Sequence, residues 1–109
     1  MYDALIIGSG IGSLTTAGLL AQTAGLRVLV LEKHSTPGGL THSFRAMGAS
    51  WDVGLHYVGD MEPGSRPRQL LDYLTGGALS WTRMPTGYDR FYLPGHGLDV
   101  TIPSGLQEY

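Results

Sequence analysis

The chain opens with two apolar runs that flank a stretch of helical character. Residues 4–7 and 27–31 are almost continuously apolar, which is the pattern of buried parallel strands. Between them, small and apolar residues of segment 10–23 recur at helical spacing, and Gly25 follows where a helix is expected to end. This order predicts a βαβ unit with a right-handed crossover.

Beyond the second run the pattern becomes polar and shorter in period. Residues 34–39 predict a loop, and residues 42–46 and 49–53 predict two strands of a hairpin that turns at Gly48. A short helix is predicted at 68–75, ended by Gly76 and Gly77.

The remaining segment predicts three short strands, one of them at 88–93, and the final PSGLQEY predicts the start of another helix. Four aromatic side chains are expected to pack the small sheet, those of Trp51, Trp81, Phe91 and Tyr92. Two strand arginines are expected to be solvated, Arg83 and Arg90. The predicted fold class is α/β, with a Rossmann-type βαβ unit over residues 1–60 followed by a small β-rich portion over residues 61–109.

Composition narrows the functional classes. With 109 residues and a net charge of −2, the chain is expected to offer no basic face to nucleic acid. It has no cysteine, which excludes disulfides, thiolate metal sites and thiol catalysis. The N-terminus has no basic cluster typical of a secretory signal, and the apolar runs are too short to cross a bilayer, so a cytoplasmic location is expected.

Glycines concentrate where the first strand meets the helix. Gly8 permits a tight turn out of the strand, and Gly10 lacks a β-carbon that would keep a phosphate away from the helix N-terminus. The third position of the fingerprint, which favours Gly or Ala, is Ser13, with Gly12 beside it. The turn predicts a pyrophosphate site.

An acid supports the same prediction. Glu32 ends the second strand, twenty residues beyond Gly12, where a carboxylate accepts hydrogen bonds from ribose hydroxyls and repels a 2′-phosphate. The site is therefore expected to disfavour NADP. The glycines and the acid leave NAD and FAD open as alternatives. The pair Gly38-Gly39 is either an ordinary turn or a segment passing close to the middle of the cofactor.

Four segments together resemble one family of flavoproteins. The motifs IIGSGIGSL, VLVLEKHSTPGG, THSF and DVGLHYVG are similar to the N-terminal part of the phytoene desaturase-like oxidoreductases, in the branch of carotenoid isomerases and retinol saturases. The resemblance implies FAD as the cofactor. Thr36-Pro37 precede the glycine pair where many members of the family carry arginine.

The resemblance also implies a role for each matching residue. It places residues of the first glycine turn at the pyrophosphate, the acid and its neighbour at the adenosine ribose, the second glycine segment along the ribityl and phosphate region, and segment 52–56 near the isoalloxazine ring. The implied cofactor-binding residues are Gly8, Ser9, Gly10, Ile11, Gly12, Ser13, Glu32, Lys33, Gly38, Gly39, Leu40, Gly54 and His56.

The family's chemistry implies a hydrophobic polyene substrate, such as a carotenoid or retinoid, that is desaturated, saturated or isomerised. Because flavin carries the hydride or electrons, no acid–base pair is required, and we name no catalytic residue. His56 is the first candidate by position, and a packing histidine is the favoured alternative. The other histidines, His34, His42 and His96, lack metal-site spacing. An apolar substrate would suit peripheral membrane attachment of the complete enzyme.

The sequence predicts fewer parallel strands than a dinucleotide-binding half requires. An open strand edge and an uncovered sheet face are therefore expected, and with them self-association and weak or absent FAD binding by the chain alone. Three origins stay open: a fragment, a truncated reading frame and a chain that pairs with another. Two alternatives to the flavin-binding function also stay open: an NAD-binding module, and a non-enzymatic remnant that keeps the fold.

Overall fold

A computed structural model of the chain describes residues 1–103. The helices and strands are, in order, β1 (Ala4–Ile7), α1 (Ile11–Ala24), β2 (Val28–Leu31), β3 (Ser43–Ala46), β4 (Ala49–Asp52), α2 (Arg66–Thr75), β5 (Arg90–Leu93) and β6 (Leu98–Thr101), with 3₁₀ turns at Gly39–Thr41 and Pro94–His96. The chain divides into two compact units, Met1–Leu79 and Ser80–Tyr109. The predicted α/β class is confirmed.

The first unit is built on a βαβ motif. Strands β1 and β2 pair in parallel, from Ala4 opposite Val28 to Ile7 opposite Leu31. Helix α1 connects them and ends at Gly25, whose φ of 65° is the left-handed conformation that glycine adopts without steric cost. The Rossmann-type unit predicted from the sequence is therefore present, with helix and strand ends within a residue or two of the expected ones.

The two faces of this parallel pair differ in exposure. Ala4 and Ile6 are half-buried, whereas Leu5 and Ile7 are 58% and 82% exposed. The alternation indicates that α1 covers one face and leaves the other open. The prediction that β1 is buried on both faces is wrong for the described residues, in which no apolar side chain is fully buried. The expected uncovered sheet face is observed.

Helix α2 packs against α1 within the first unit. A β-carbon added to Gly18 would come 2.8 Å from the Leu74 side chain, so the small residue permits close approach of the two helices. The Gln22 amide also donates to the Leu74 carbonyl at 3.0 Å. Gly18 therefore faces α2. An apolar cleft of about 280 Å³ lies between the helices and includes Ile11, Leu14 and Leu71.

The hairpin predicted after the polar loop is present. Strands β3 and β4 pair antiparallel, with Ala46 opposite Ala49. Met47 and Gly48 connect them with φ values of 53° and 77°, and positive φ at both positions is the signature of a type I′ turn. The Trp51 indole donates to the Ala46 carbonyl at 3.1 Å, but Trp51 is half exposed and does not form the expected core.

The second unit is a hairpin of β5 and β6. It contains two strands in residues 80–103, whereas three were expected in segment 79–109, because 80–87 is irregular. Arg90, expected to be solvated, stays mostly exposed and pairs diagonally across the hairpin with Asp99, which lies opposite Tyr92, with 2.6 Å between Nε and Oδ1. Phe91 and Tyr92 are more exposed than expected, at 58% and 62%. The predicted final helix lies outside the described residues.

Candidate functional site

The glycine turn leaves bare main chain at the start of α1. Gly8 has a φ of 91°, and its amide donates to the Leu31 carbonyl at 2.7 Å, which anchors the turn to β2. Gly10 is the N-cap of α1, and no side chain caps this end of the helix. Added β-carbons at Gly8, Gly10 and Gly12 would meet no atom within 4 Å. The amides of the first helical turn are thus approachable by a ligand.

Ser9 and Glu32 connect this turn to the end of β2. The Ser9 amide and hydroxyl both donate to Glu32 Oε2, at 2.8 and 2.7 Å. The second carboxylate oxygen, Oε1, accepts from the His34 amide at 2.8 Å. Ser9 is only 2% exposed. The carboxylate is therefore held beside the glycine turn, as the spacing of the two motifs predicts.

These donors keep Glu32 ionised. The Ser9 hydroxyl is the main cause that lowers the pKa of Glu32 to about 2, followed by the His34 amide and the Ser9 amide, while desolvation opposes them. Hydrogen bonds to the charged form favour that form. At neutral pH the tip of β2 therefore carries a full negative charge.

The second glycine segment packs directly on the first. The Gly38 amide donates to Ser9 Oγ at 3.0 Å, and Gly38 forms an isolated parallel bridge with Gly10. Gly38 has a φ of 120°, a conformation that side chains other than hydrogen strongly disfavour. A β-carbon on Gly39 would lie 3.0 Å from the Gly10 Cα. The pair therefore packs against the first glycine turn, and its approach to the middle of a cofactor stays a prediction.

The turn after the glycine pair is fixed by local hydrogen bonds. The Thr41 hydroxyl donates to the Gly38 carbonyl at 2.6 Å, and His42 Nδ1 lies 2.5 Å from the Gly39 carbonyl. Leu40 lies against Gly54, where an added β-carbon would be 3.3 Å from the Leu40 Cβ and carbonyl oxygen. The segment after β4 is thus brought to the edge of the glycine pair.

The structure brings five of the thirteen implied cofactor residues into one cluster. Hydrogen bonds and the Gly10–Gly38 bridge connect Ser9, Gly10, Glu32 and Gly38, and Gly39 lies against Gly10. Lys33 and His56 are exposed, and Ser13 is half-exposed in the first turn of α1. The Ile11 side chain lines the cleft between α1 and α2. The roles of all these residues toward a cofactor stay predictions.

Two contributors were not expected from the sequence. His34, predicted as a loop or surface residue, supplies its amide to Glu32, and Thr41 ties the glycine pair to the following turn. Any residue except proline could supply the amide of His34, and serine could replace Thr41 as the hydroxyl donor. The residue types at these two positions therefore give no signal in the sequence, although His34 lies only two residues from Glu32.

Comparison with known families identifies the motif. A family described as the NAD(P)-binding Rossmann-like domain matches residues 6–74. The chain belongs to this family. The match covers the glycine turn, the acid and the second glycine pair, and it ends in α2, so the dinucleotide-binding fold predicted from the sequence is confirmed.

Curated relatives of this Rossmann-like chain include enzymes named for retinoids and carotenoids. The chain is 45% identical over 109 residues to all-trans-retinol 13,14-reductase of Rattus norvegicus, covering 98% of the chain and 18% of the relative. It is 55% identical over 53 residues to prolycopene isomerase 1, chloroplastic, of an Oncidium hybrid cultivar, covering 49% of the chain and 9% of the relative. The predicted resemblance to the carotenoid isomerase and retinol saturase branch is confirmed.

A further relative has a name that describes it as inactive. The chain is 44% identical over 77 residues to a Danio rerio protein named inactive all-trans-retinol 13,14-reductase, covering 71% of the chain and 13% of the relative. In each of these comparisons the chain spans less than a fifth of the relative's length.

Neither helix within residues 1–103 combines the length and the apolar character needed to span a lipid bilayer.

Proposed function

We propose that this chain forms the part of an FAD site that holds the adenosine and the pyrophosphate, in an oxidoreductase or isomerase acting on carotenoid- or retinoid-like polyenes. The observation that carries the proposal is the Glu32 carboxylate, hydrogen-bonded to Ser9 of the glycine turn at the start of α1. The relatives support the class of enzyme, since their names specify a retinol reductase and a prolycopene isomerase.

The pyrophosphate would bind at the start of α1. Unpaired amides and the partial positive charge of a helix N-terminus attract phosphate oxygens, provided that the main chain can be approached closely. The open space at the Cβ positions of Gly8, Gly10 and Gly12 meets that requirement. Gly8, Gly10, Gly12 and Ser13 would line this part, as would the main chain of Ser9 and Ile11.

The adenosine ribose would bind at Glu32, with Lys33 beside it. An ionised carboxylate is a strong acceptor for a sugar hydroxyl and repels a phosphate on the same sugar. Because its pKa is lowered to about 2, Glu32 provides this acceptor at every pH at which an enzyme ordinarily works. NADP is therefore the least suitable of the three common dinucleotides.

The middle of the cofactor would pass the second glycine segment. Gly38, Gly39 and Leu40 would follow the ribityl and phosphate region, and Gly54 and His56 would lie toward the flavin ring. When bound, flavin supplies transfer of a hydride or of electrons to the polyene. The residues of this chain bind and orient the cofactor, and we assign none of them a catalytic role. Residues 1–60 would form the cofactor-binding portion, and residues 61–109 would begin the substrate-binding region.

A competition between dinucleotides tests the proposal. The purified chain is titrated with FAD, NAD⁺ and NADP⁺, and binding is followed by flavin fluorescence and by calorimetry. We expect FAD binding by the isolated chain that is weak but stronger than NAD⁺ binding, with NADP⁺ the weakest. Because no apolar side chain of residues 1–103 is fully buried, the affinity is expected to be modest. Preference for NAD⁺ would identify an NAD-binding module instead.

A remnant with the fold but without function is the second candidate. It is favoured by the relative named inactive, which retains 44% identity to this chain. The same titration decides between the two candidates, since a remnant binds none of the three dinucleotides while its circular dichroism still shows helix and strand.

A further inference from the structure

Ser9 occupies the centre of the hydrogen-bonded cluster. It is the one fully buried polar side chain among residues 1–103. Its hydroxyl donates to Glu32 Oε2 at 2.7 Å and accepts from the Gly38 amide at 3.0 Å. The single donor of the serine hydroxyl and one of its two acceptor positions are thus used, each by a different segment of the site.

We propose that Ser9 is a positioning residue of the cofactor site, whose hydroxyl holds the Glu32 carboxylate in place and ties it to the second glycine segment. This inference rests on the proposed function and changes the role expected for Ser9. Its side chain is turned toward Glu32 and Gly38, so the hydroxyl acts on the ligand through these two residues.

The hydrogen bonds also specify which carboxylate oxygen is left for the ligand. A carboxylate has about four acceptor positions, two on each oxygen. Ser9 fills both positions of Oε2, and the His34 amide fills one of Oε1. The Lys33 amide also stabilises the charged carboxylate. Any acceptor position left for a sugar hydroxyl therefore lies on Oε1, whereas the sequence suggested that Glu32 would accept from both ribose hydroxyls.

Removing the hydroxyl is expected to affect both partners. In Ser9→Ala, Oε2 keeps only the amide donor, and the Gly38 amide loses its acceptor in a buried position. The loss of the largest stabilising contact of the ionised form raises the pKa of Glu32 toward its usual value. If the Ser9 side chain only filled space, its replacement by alanine would leave the pKa of Glu32 unchanged.

The test compares Ser9→Ala with Ser50→Ala, a serine on the exposed strand β4 outside the cofactor site. The Glu32 carboxyl is titrated by ¹³C NMR in the full chain without cofactor, and FAD affinity is measured separately. We expect the pKa to stay near 2 in the unsubstituted chain and in Ser50→Ala, and to rise clearly in Ser9→Ala. FAD binding should weaken on the order of tenfold in Ser9→Ala, the usual effect of losing a hydrogen bond to a charged group.

The outcomes separate the two proposals. An unchanged pKa of Glu32 in Ser9→Ala overturns the positioning role, whatever the affinity. A raised pKa without FAD binding by the unsubstituted chain contradicts the proposed function and still supports the placement of Glu32 by Ser9. If Ser9→Ala does not fold, Ser9→Cys replaces it, because a thiol keeps the shape of the side chain but donates only weakly; the same rise in pKa is then expected.

Discussion

Gly39 lies directly against Gly10, so that a methyl group on Gly39 would approach the Gly10 Cα to 3.0 Å. The two glycines belong to different loops, one at the start of α1 and one after β2. Their contact and the Gly10–Gly38 bridge place the two glycine-rich motifs side by side, so that they form one surface of main chain without side chains. A dinucleotide needs such a stretch because its phosphates approach the backbone more closely than side chains permit.

This contact predicts unequal effects of two glycine substitutions. Gly39 and Gly48 have φ values of 58° and 77°, so alanine is strained at both positions, by about 1–2 kcal/mol. At Gly48 the added methyl meets no atom within 4 Å, whereas at Gly39 it meets the main chain of Gly10. Crowding of this kind adds about 1–3 kcal/mol. Urea denaturation should therefore show Gly39→Ala to be the less stable variant; equal stabilities would contradict the contact.

The charge of Glu32 predicts a dependence of stability on pH. Its pKa is about 2 in the folded chain against an ordinary value of 4.5. A lowered pKa stabilises the fold above the ordinary value, and that contribution is lost as the pH falls from about 4.5 through 2. Glu32→Gln has no carboxylate at this position and therefore lacks this contribution to stability at every pH.

The difference in stability between the unsubstituted chain and Glu32→Gln should accordingly shrink over this window. Thermal unfolding at a series of pH values measures it. Asp3 and Asp99 also have pKa values lowered by their arginine partners, but they titrate in both proteins and cancel in the difference. A difference that stays constant down to pH 2 would show that Glu32 is not held as described.

The uncovered face of the parallel pair predicts self-association. Leu5, Ile7 and Leu31 expose apolar surface there, and exposed apolar patches on strand pairs promote association. Ile7→Lys should favour the monomer in size-exclusion chromatography with little change in stability, because Ile7 is 82% exposed.

The neighbouring residue provides the matched control. Ile6→Lys places the same charge on the face covered by α1, where Ile6 is half-buried, and should cost at least about 1 kcal/mol of stability. If Ile7→Lys leaves the elution volume of the chain unchanged, self-association does not occur through the open face of the β1–β2 pair.

Local features of the chain were enough to predict most element boundaries. Gly25, Gly48 and Gly76 all adopt positive φ where an element was expected to end, because glycine is favoured in that conformation wherever it occurs. The acid at the glycine turn followed from spacing in the same way, since one βαβ unit brings the ends of parallel neighbours to the same edge of a sheet.

Burial and hydrogen-bond partners could not be predicted in this way. The run Ala4–Ile7 is apolar throughout, yet only alternate residues are covered, and no local pattern specifies what covers the other face. Likewise, Arg90 reaches Asp99, the residue opposite Tyr92, only because the β5–β6 turn sets the register of the two strands. The role of Ser9 depends on Gly38, twenty-nine residues away, and becomes visible only when both loops are folded.

The most direct test of the central claim is the FAD affinity of Gly10→Ala. Gly10 has a φ of −63° and a ψ of 165°, which alanine adopts freely, and the added methyl would meet no protein atom within 4 Å. The substitution should therefore preserve the fold and obstruct only a ligand. Gly95→Ala, which also places its methyl in open space, is the control. Gly95→Ala should bind FAD like the unsubstituted chain, and Gly10→Ala should lose at least about tenfold in affinity. Equal FAD binding by all three proteins would contradict a pyrophosphate site at the start of α1.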